Sequence, residues 1–126
     1  EDACSKYSVY PISMVAPTSK DRINSIVKDA RGFVYCVSSL GVTGVRKDFD
    51  TDFEGFFSHI NSASKIPKAL GFGISSAEHV RRLKNYCDGL IVGSAIVRLI
   101  ESASSPHEAG EKVREFTREL RKALDE

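Results

Sequence analysis

Residues 90–97 read Leu-Ile-Val-Gly-Ser-Ala-Ile-Val, a buried-strand pattern that runs straight into a helix with Gly93 and Ser94 at the junction. The first turn of a helix leaves several backbone N–H groups unpaired and pointing outward. The helix dipole adds partial positive charge at the same spot. Gly93 lets a ligand approach the backbone, and Ser94 offers a hydroxyl and an N-cap. Such an arrangement suits a phosphate. Gly-Ser alone is a short motif that an ordinary strand-to-helix turn also produces. Its weight therefore depends on where the other glycines fall, above all Gly44 and Gly73.

The elements that would position them alternate along the chain. Residues 1–7 read as the tail of a helix. Residues 8–16 read as a strand, with Pro11 at its start and Pro17 at its end. Thr18 to Asp21 resembles a capping box, and Ile23, Ile26, Val27 and Ala30 give the helix after it one apolar face. Gly32 leads into a second strand, 33–38, apolar enough to be covered on both faces. A loop follows over 39–50. A helix over about 52–62 then carries Phe53, Phe56, Phe57 and Ile60 as core anchors. Residues 68–73 read as a third strand. Ser75 to Glu78 is a capping box for a helix with Val80 and Leu83 inward and Arg81, Arg82 and Lys84 on a solvated face. The fourth strand is 90–92, and a short helix runs from Ser94 to about Glu101. Pro106 then opens a last helix at N1, with Val113, Phe116, Leu120 and Leu124 on one side. Four β-α pairs plus one helix predict an α/β fold with a parallel sheet and right-handed crossovers. A small doubly wound sheet and half of a (β/α)8 barrel both fit that order.

Composition narrows the function classes. The 126 residues suit one domain over 1–126, with 18 basic and 17 acidic side chains and net charge +1. That balance gives no electrostatic reason to expect nucleic acid or an anionic membrane as partner. No apolar run approaches the ~20 residues of a membrane span. Cys4, Cys36 and Cys87 are odd in number and widely spaced, which predicts reduced thiols in a cytosol-like compartment and no zinc site. Cys36 reads as a small core residue. His59, His79 and His107 form no metal-spaced pair and read as surface or helix-flank residues.

In a parallel sheet every strand ends at the same rim. Gly44, Gly73 and Gly93 follow the second, third and fourth strands, so one region of space would receive all three. In (β/α)8 barrels this rim holds the active site, with phosphate near the last two strand ends and a short extra helix. A nest of backbone N–H groups needs no Lys or Arg to bind it. The bland alternative is three turn-forming glycines. The 39–50 loop exceeds the usual two to six residues of such connections. With Gly41-Val42-Thr43-Gly44 inside it, the loop reads as a lid, Thr43 being the one hydroxyl between the glycines.

The run Val37-Ser38-Ser39-Leu40-Gly41-Val42-Thr43-Gly44 resembles the lid motif of the tryptophan synthase α family. Ala16-Pro17-Thr18, Gly71-Phe72-Gly73-Ile74-Ser75 and Ile91-Val92-Gly93-Ser94-Ala95-Ile96-Val97 match that family in order and spacing. The resemblance implies the C-terminal half of a TIM (β/α)8 barrel. It implies cleavage of indole-3-glycerol phosphate to indole and glyceraldehyde 3-phosphate in tryptophan biosynthesis, in the cytoplasm. Gly44, Gly73, Gly93 and Ser94 would hold the substrate phosphate. Tyr35, Phe72 and Ile91 would line the pocket, and Thr43 would close the lid toward a catalytic aspartate. No cofactor is implied for this chain. PLP belongs to the β subunit, the partner that receives the indole.

The family's catalytic Glu and Asp lie in the N-terminal half of the barrel, which this sequence does not contain. Asp48, Asp50, Asp52, Glu54, Glu78 and Glu101 match no catalytic position of that family. Cleavage needs a general acid and base within hydrogen-bond reach, so the 126 residues alone are expected to be inactive. A four-stranded half also leaves two bare sheet edges and an apolar face, which favours association. The missing N-terminal half-barrel is the first candidate to cover them, with a second copy of the chain ranked behind it. Two other readings remain. Another phosphate-binding (β/α)8 enzyme would lack the Gly41–Gly44 lid sequence. A non-catalytic α/β interaction domain would show an acidic cluster or nucleotide loop where Ala16-Pro17-Thr18 stands.

Overall fold

The computed structural model describes residues 2–37, 52–71 and 73–126. The elements run α1 (Asp2–Lys6), β1 (Ser13–Val15), a 3-10 turn (Pro17–Arg22), α2 (Ile23–Lys28), β2 (Val34–Val37), α3 (Phe53–Ala63), β3 (Lys68–Gly71), α4 (Ala77–Leu83), β4 (Gly89–Ile91), α5 (Ser94–Glu101) and α6 (Pro106–Asp125). The four strands form one sheet in the order β1-β2-β3-β4, every pair parallel. This is the β-α alternation expected from the sequence.

Register shows which side chains share a face. Val15, Cys36, Leu70 and Leu90 align across the four strands, and Val34 aligns with Lys68. Val15, Val34, Cys36 and Leu70 are buried against Ile23 and Val27 of α2, the aromatics of α3, Val80 and Leu83 of α4, and Leu120 and Ala123 of α6. All the helix-borne core therefore lies on one side of the sheet. Met14, Tyr35, Ala69 and Gly89 align on the other side, as do Val37, Gly71 and Ile91. There Met14 is 57% exposed, and Tyr35, Val37 and Ile91 are only half-buried. The expectation that β2 is covered on both faces is thus corrected. Its second face is apolar, but no described element lies over it.

Several local expectations also move. β1 is three residues long and does not span 8–16. Ser8 has φ +54 and Pro11 can donate no hydrogen bond, so 8–12 cannot join the ladder. Thr18 to Asp21 makes no capping box. Ser19 instead accepts from the Ala16 N–H at 3.1 Å and donates its own N–H to the Ala16 carbonyl, closing a 3-10 turn. The α4 N-cap is Ser76, whose hydroxyl accepts from the His79 N–H at 3.3 Å. His79 thus occupies the position expected for Glu78, and its Nδ1 accepts from the Ser75 N–H at 3.4 Å. The basic residues of α4 are not all merely solvated. Arg81 pairs with Glu126 at 2.6 Å, and Lys84 donates to the Ala123 and Leu124 carbonyls at 3.0 and 3.3 Å, capping the end of α6. On α6, Leu124 is 38% exposed and Ala123 takes the core position instead.

Candidate functional site

The strand ends after β3 and β4 define the site. Gly71 and Ile91 are register partners on adjacent strands. Gly73 and Gly93 each lie two residues beyond that pair, so the glycine junctions after β3 and β4 meet at one rim. Gly73 has φ +77, the left-handed region that side chains with a Cβ rarely adopt. A Cβ at Gly73 or Gly93 would meet no protein atom within 4 Å. Packing therefore does not demand glycine at 93, and the space above its backbone is open.

Ser94 is the first residue of α5, and Gly93 is its N-cap, which corrects the expectation that Ser94 caps the helix. Ile96 and Val97 both donate to the Gly93 carbonyl, at 2.9 and 3.2 Å. No side chain caps this helix start. The Ser94 side chain is exposed and free to turn toward a ligand at the same end. By contrast α3, α4 and α6 start under Asp52, Ser76 and Ser105, each accepting from an N–H three residues on.

Tyr35 and Ile91 lie on the open face below this rim. The Tyr35 ring and hydroxyl cover Gly71, where an added Cβ would sit 2.8 Å from Tyr35 Cε1 and closer still to the hydroxyl end. That contact buries Gly71 although it faces the open side. It also ties β2 to the strand that leads into Gly73. Gly41, Val42, Thr43 and Gly44 of the expected lid, and Phe72 of the expected pocket, lie outside the described residues.

Of the six carboxylates singled out in the sequence, Asp48 and Asp50 lie outside the described residues, and the other four are on helices or at their starts. Asp52 caps α3 through the Gly55 N–H at 2.8 Å. Glu54, Glu78 and Glu101 are exposed on helices. The strongest polar cluster is at the opposite end of the strands. There the Asp88 carboxylate accepts from the Lys68 backbone N–H at 2.8 Å and meets Lys68 Nζ at 3.3 Å. The backbone hydrogen bond is the main cause holding Asp88 below the usual carboxylate range. Burial first, and neighbouring Cys87 second, push the Cys36 thiol up to about 12. It is an inert core residue, as the sequence suggested. All three cysteines are free thiols. Among the described residues no group of three His, Cys, Asp or Glu could hold a metal ion, and no helix is long and apolar enough to cross a membrane.

A profile described as tryptophan synthase alpha chain matches residues 1–125. The chain belongs to the tryptophan synthase alpha chain family. The alpha chain of Caldanaerobacter subterraneus is 47% identical over 123 residues, covering 98% of this chain and 47% of that protein. That of Bacillus pumilus is 53% identical over 98 residues, covering 78% and 37%. The alpha subunit structure from Campylobacter jejuni superposes with a TM-score of 0.76 at 29% identity, covering 91% of this chain and 46% of that one. A mutant alpha subunit from Pyrococcus furiosus gives 0.74 at 29% identity, covering 96% and 48%. The chain thus spans about half the length of the alpha chains it matches. Its four parallel strands are part of their TIM barrel, and the open face is the side that lines the interior of such a barrel.

Proposed function

We propose that these 126 residues are one domain-sized portion, the C-terminal four strands, of an alpha chain barrel serving tryptophan biosynthesis. Their task is to anchor the phosphate of indole-3-glycerol phosphate while the carbon–carbon bond to indole is cleaved. The observation that carries this reading is the rim itself: two adjacent strand ends, an open backbone at Gly73 and Gly93, and a helix start with no side-chain cap. Phosphate oxygens accept hydrogen bonds from the N–H groups at the start of α5 and from the Ser94 hydroxyl, with the α5 dipole favouring the charge. Gly73 forms the second wall of the nest, and Gly44 a third from the lid loop. Tyr35, Phe72 and Ile91 line the apolar part of the pocket below. Residues 41–44 close over it, with Thr43 directed toward the catalytic aspartate.

The chemistry on the bound substrate belongs to an acid and a base from the upstream half-barrel. Asp52, Glu54, Glu78 and Glu101 are at helix starts or on helix surfaces, away from the open face, and supply neither role. The indole product passes to a β subunit, which carries the PLP. The three free thiols fit a reducing, cytoplasmic setting. The test is indole release from indole-3-glycerol phosphate. The purified 126-residue chain is expected to release none above background. Adding an alpha chain's upstream half, with its Glu and Asp, is expected to restore turnover. Turnover by the chain alone overturns the division of labour, and failure of both arms overturns the enzyme reading.

A further inference from the structure

We infer that His79 is a positioning residue for the phosphate nest, fixing the backbone between Gly73 and α4 before an anion arrives. The inference rests on the phosphate reading of the rim. Three residues, Ile74, Ser75 and Ser76, separate Gly73 from the start of α4 at Ala77. Each is held in a different way. Ile74 is 3% exposed and belongs to the helix-side core. Ser76 accepts from the His79 N–H through its hydroxyl at 3.3 Å and from the Val80 N–H through its carbonyl at 3.2 Å. Ser75 is exposed, and its N–H donates to Nδ1 of the half-buried His79 at 3.4 Å. His79 thus brackets both serines, one with its backbone N–H and one with its ring, as Glu or Gln does in a capping box. The bracket acts two residues from Gly73, which has φ +77 and no side chain to restrain it. The aim of the Gly73 N–H therefore depends on how the next residues are held. A nest whose N–H groups are already aimed binds an anion better than one that must order them on binding. The ring can accept from Ser75 only as the tautomer with its proton on Nε2. A Gln at this position carries an acceptor oxygen for the same N–H, whereas a Leu of similar bulk carries none. Acceptor chemistry thereby separates positioning from packing.

The experiment is an amide NMR titration with glycerol 3-phosphate of the 126-residue chain and of its His79→Leu and His79→Gln variants. His79→Leu is expected to weaken saturable binding at the Gly73, Gly93 and Ser94 amides by about fivefold, and His79→Gln to stay within about twofold of the parent. If the Leu variant loses its fold, the unmodified chain decides. Long-range proton–nitrogen spectra above neutral pH must show the His79 ring with its proton on Nε2. Three results overturn the proposal: parental affinity in His79→Leu, a His79→Gln variant as weak as His79→Leu, or a ring that carries its proton on Nδ1. A parent that binds while both variants match it removes only the role of His79. A parent without saturable binding overturns the phosphate reading and this inference with it.

Discussion

The two faces of the sheet share strands and register but are built for different ends. On the helix side, Val15, Val34, Cys36 and Leu70 are 0–1% exposed and locked between α2, α3, α4 and α6. On the open side, Met14, Tyr35, Val37 and Ile91 are exposed or half-buried, and small residues (Ala69, Gly71, Gly89) alternate with them. The first face holds the half-barrel together. The second is apolar and open, and it carries Tyr35 and Ile91 below the Gly73/Gly93 rim. Stability and function are thus separated by the pleat, and a one-residue register slip would exchange them.

A matched pair of truncations separates the two faces. Leu70→Ala empties a fully buried site and is expected to cost about 3 kcal/mol, whereas Met14→Ala is expected to stay within about 0.5 kcal/mol. Urea denaturation at a fixed protein concentration measures both, and equal losses would erase the distinction between the faces. Gly71→Ala comes next. The added Cβ collides with Tyr35, and overpacking of this kind costs roughly 1–3 kcal/mol. Tyr35→Ala in the same chain should relieve most of it, and a double-mutant cycle with no coupling would refute the contact. Ser105→Ala removes the α6 cap at a cost of about 1 kcal/mol, read from the same denaturation curves.

The smallest effects come from pH. Asp88 is held below its ordinary range, so its contribution is present above the unfolded carboxylate value and fades as pH falls through the folded one. It is modest, since the Asp88 side chain is 56% exposed. Cys36 has the opposite sign. Its thiol is raised from 9.0 to about 12, so stability is lost as pH climbs through that window. Chemical denaturation across pH 3–5 in the Asp88→Asn chain, and across pH 9–12 in the Cys36→Ala chain, should show flatter profiles than the parent.

Much of this was legible in the sequence because periodicity and punctuation agree. The aromatic stripe of α3 and Pro106 at N1 of α6 stand where their spacing put them. The β-α order and the Gly73 and Gly93 junctions follow from the same signals. What was not legible depended on tertiary partners. The apolar run of β2 signals two covered faces, yet among the described residues only one face is packed. Ser75 and Ser76 are chemically equivalent caps, and only the backbone decides that Ser76 is used and His79 takes the N3 position. Arg81 and Lys84 looked like solvent-facing charges, since nothing local reveals that the end of α6 lies beside them. Ser94 resembled a cap because its side chain is a good one. The structure uses Gly93 there and leaves the Ser94 hydroxyl for another partner.

The rim between β3 and β4 is proposed to anchor a phosphate. Its most direct test is a backbone amide NMR titration of the 126-residue chain with glycerol 3-phosphate. Saturable shifts are expected, concentrated at Gly73, Gly93, Ser94 and Ala95 and weakened by Gly93→Asp, which adds a negative side chain in open space. Saturable binding elsewhere, or no saturable shift at these four amides, would contradict it.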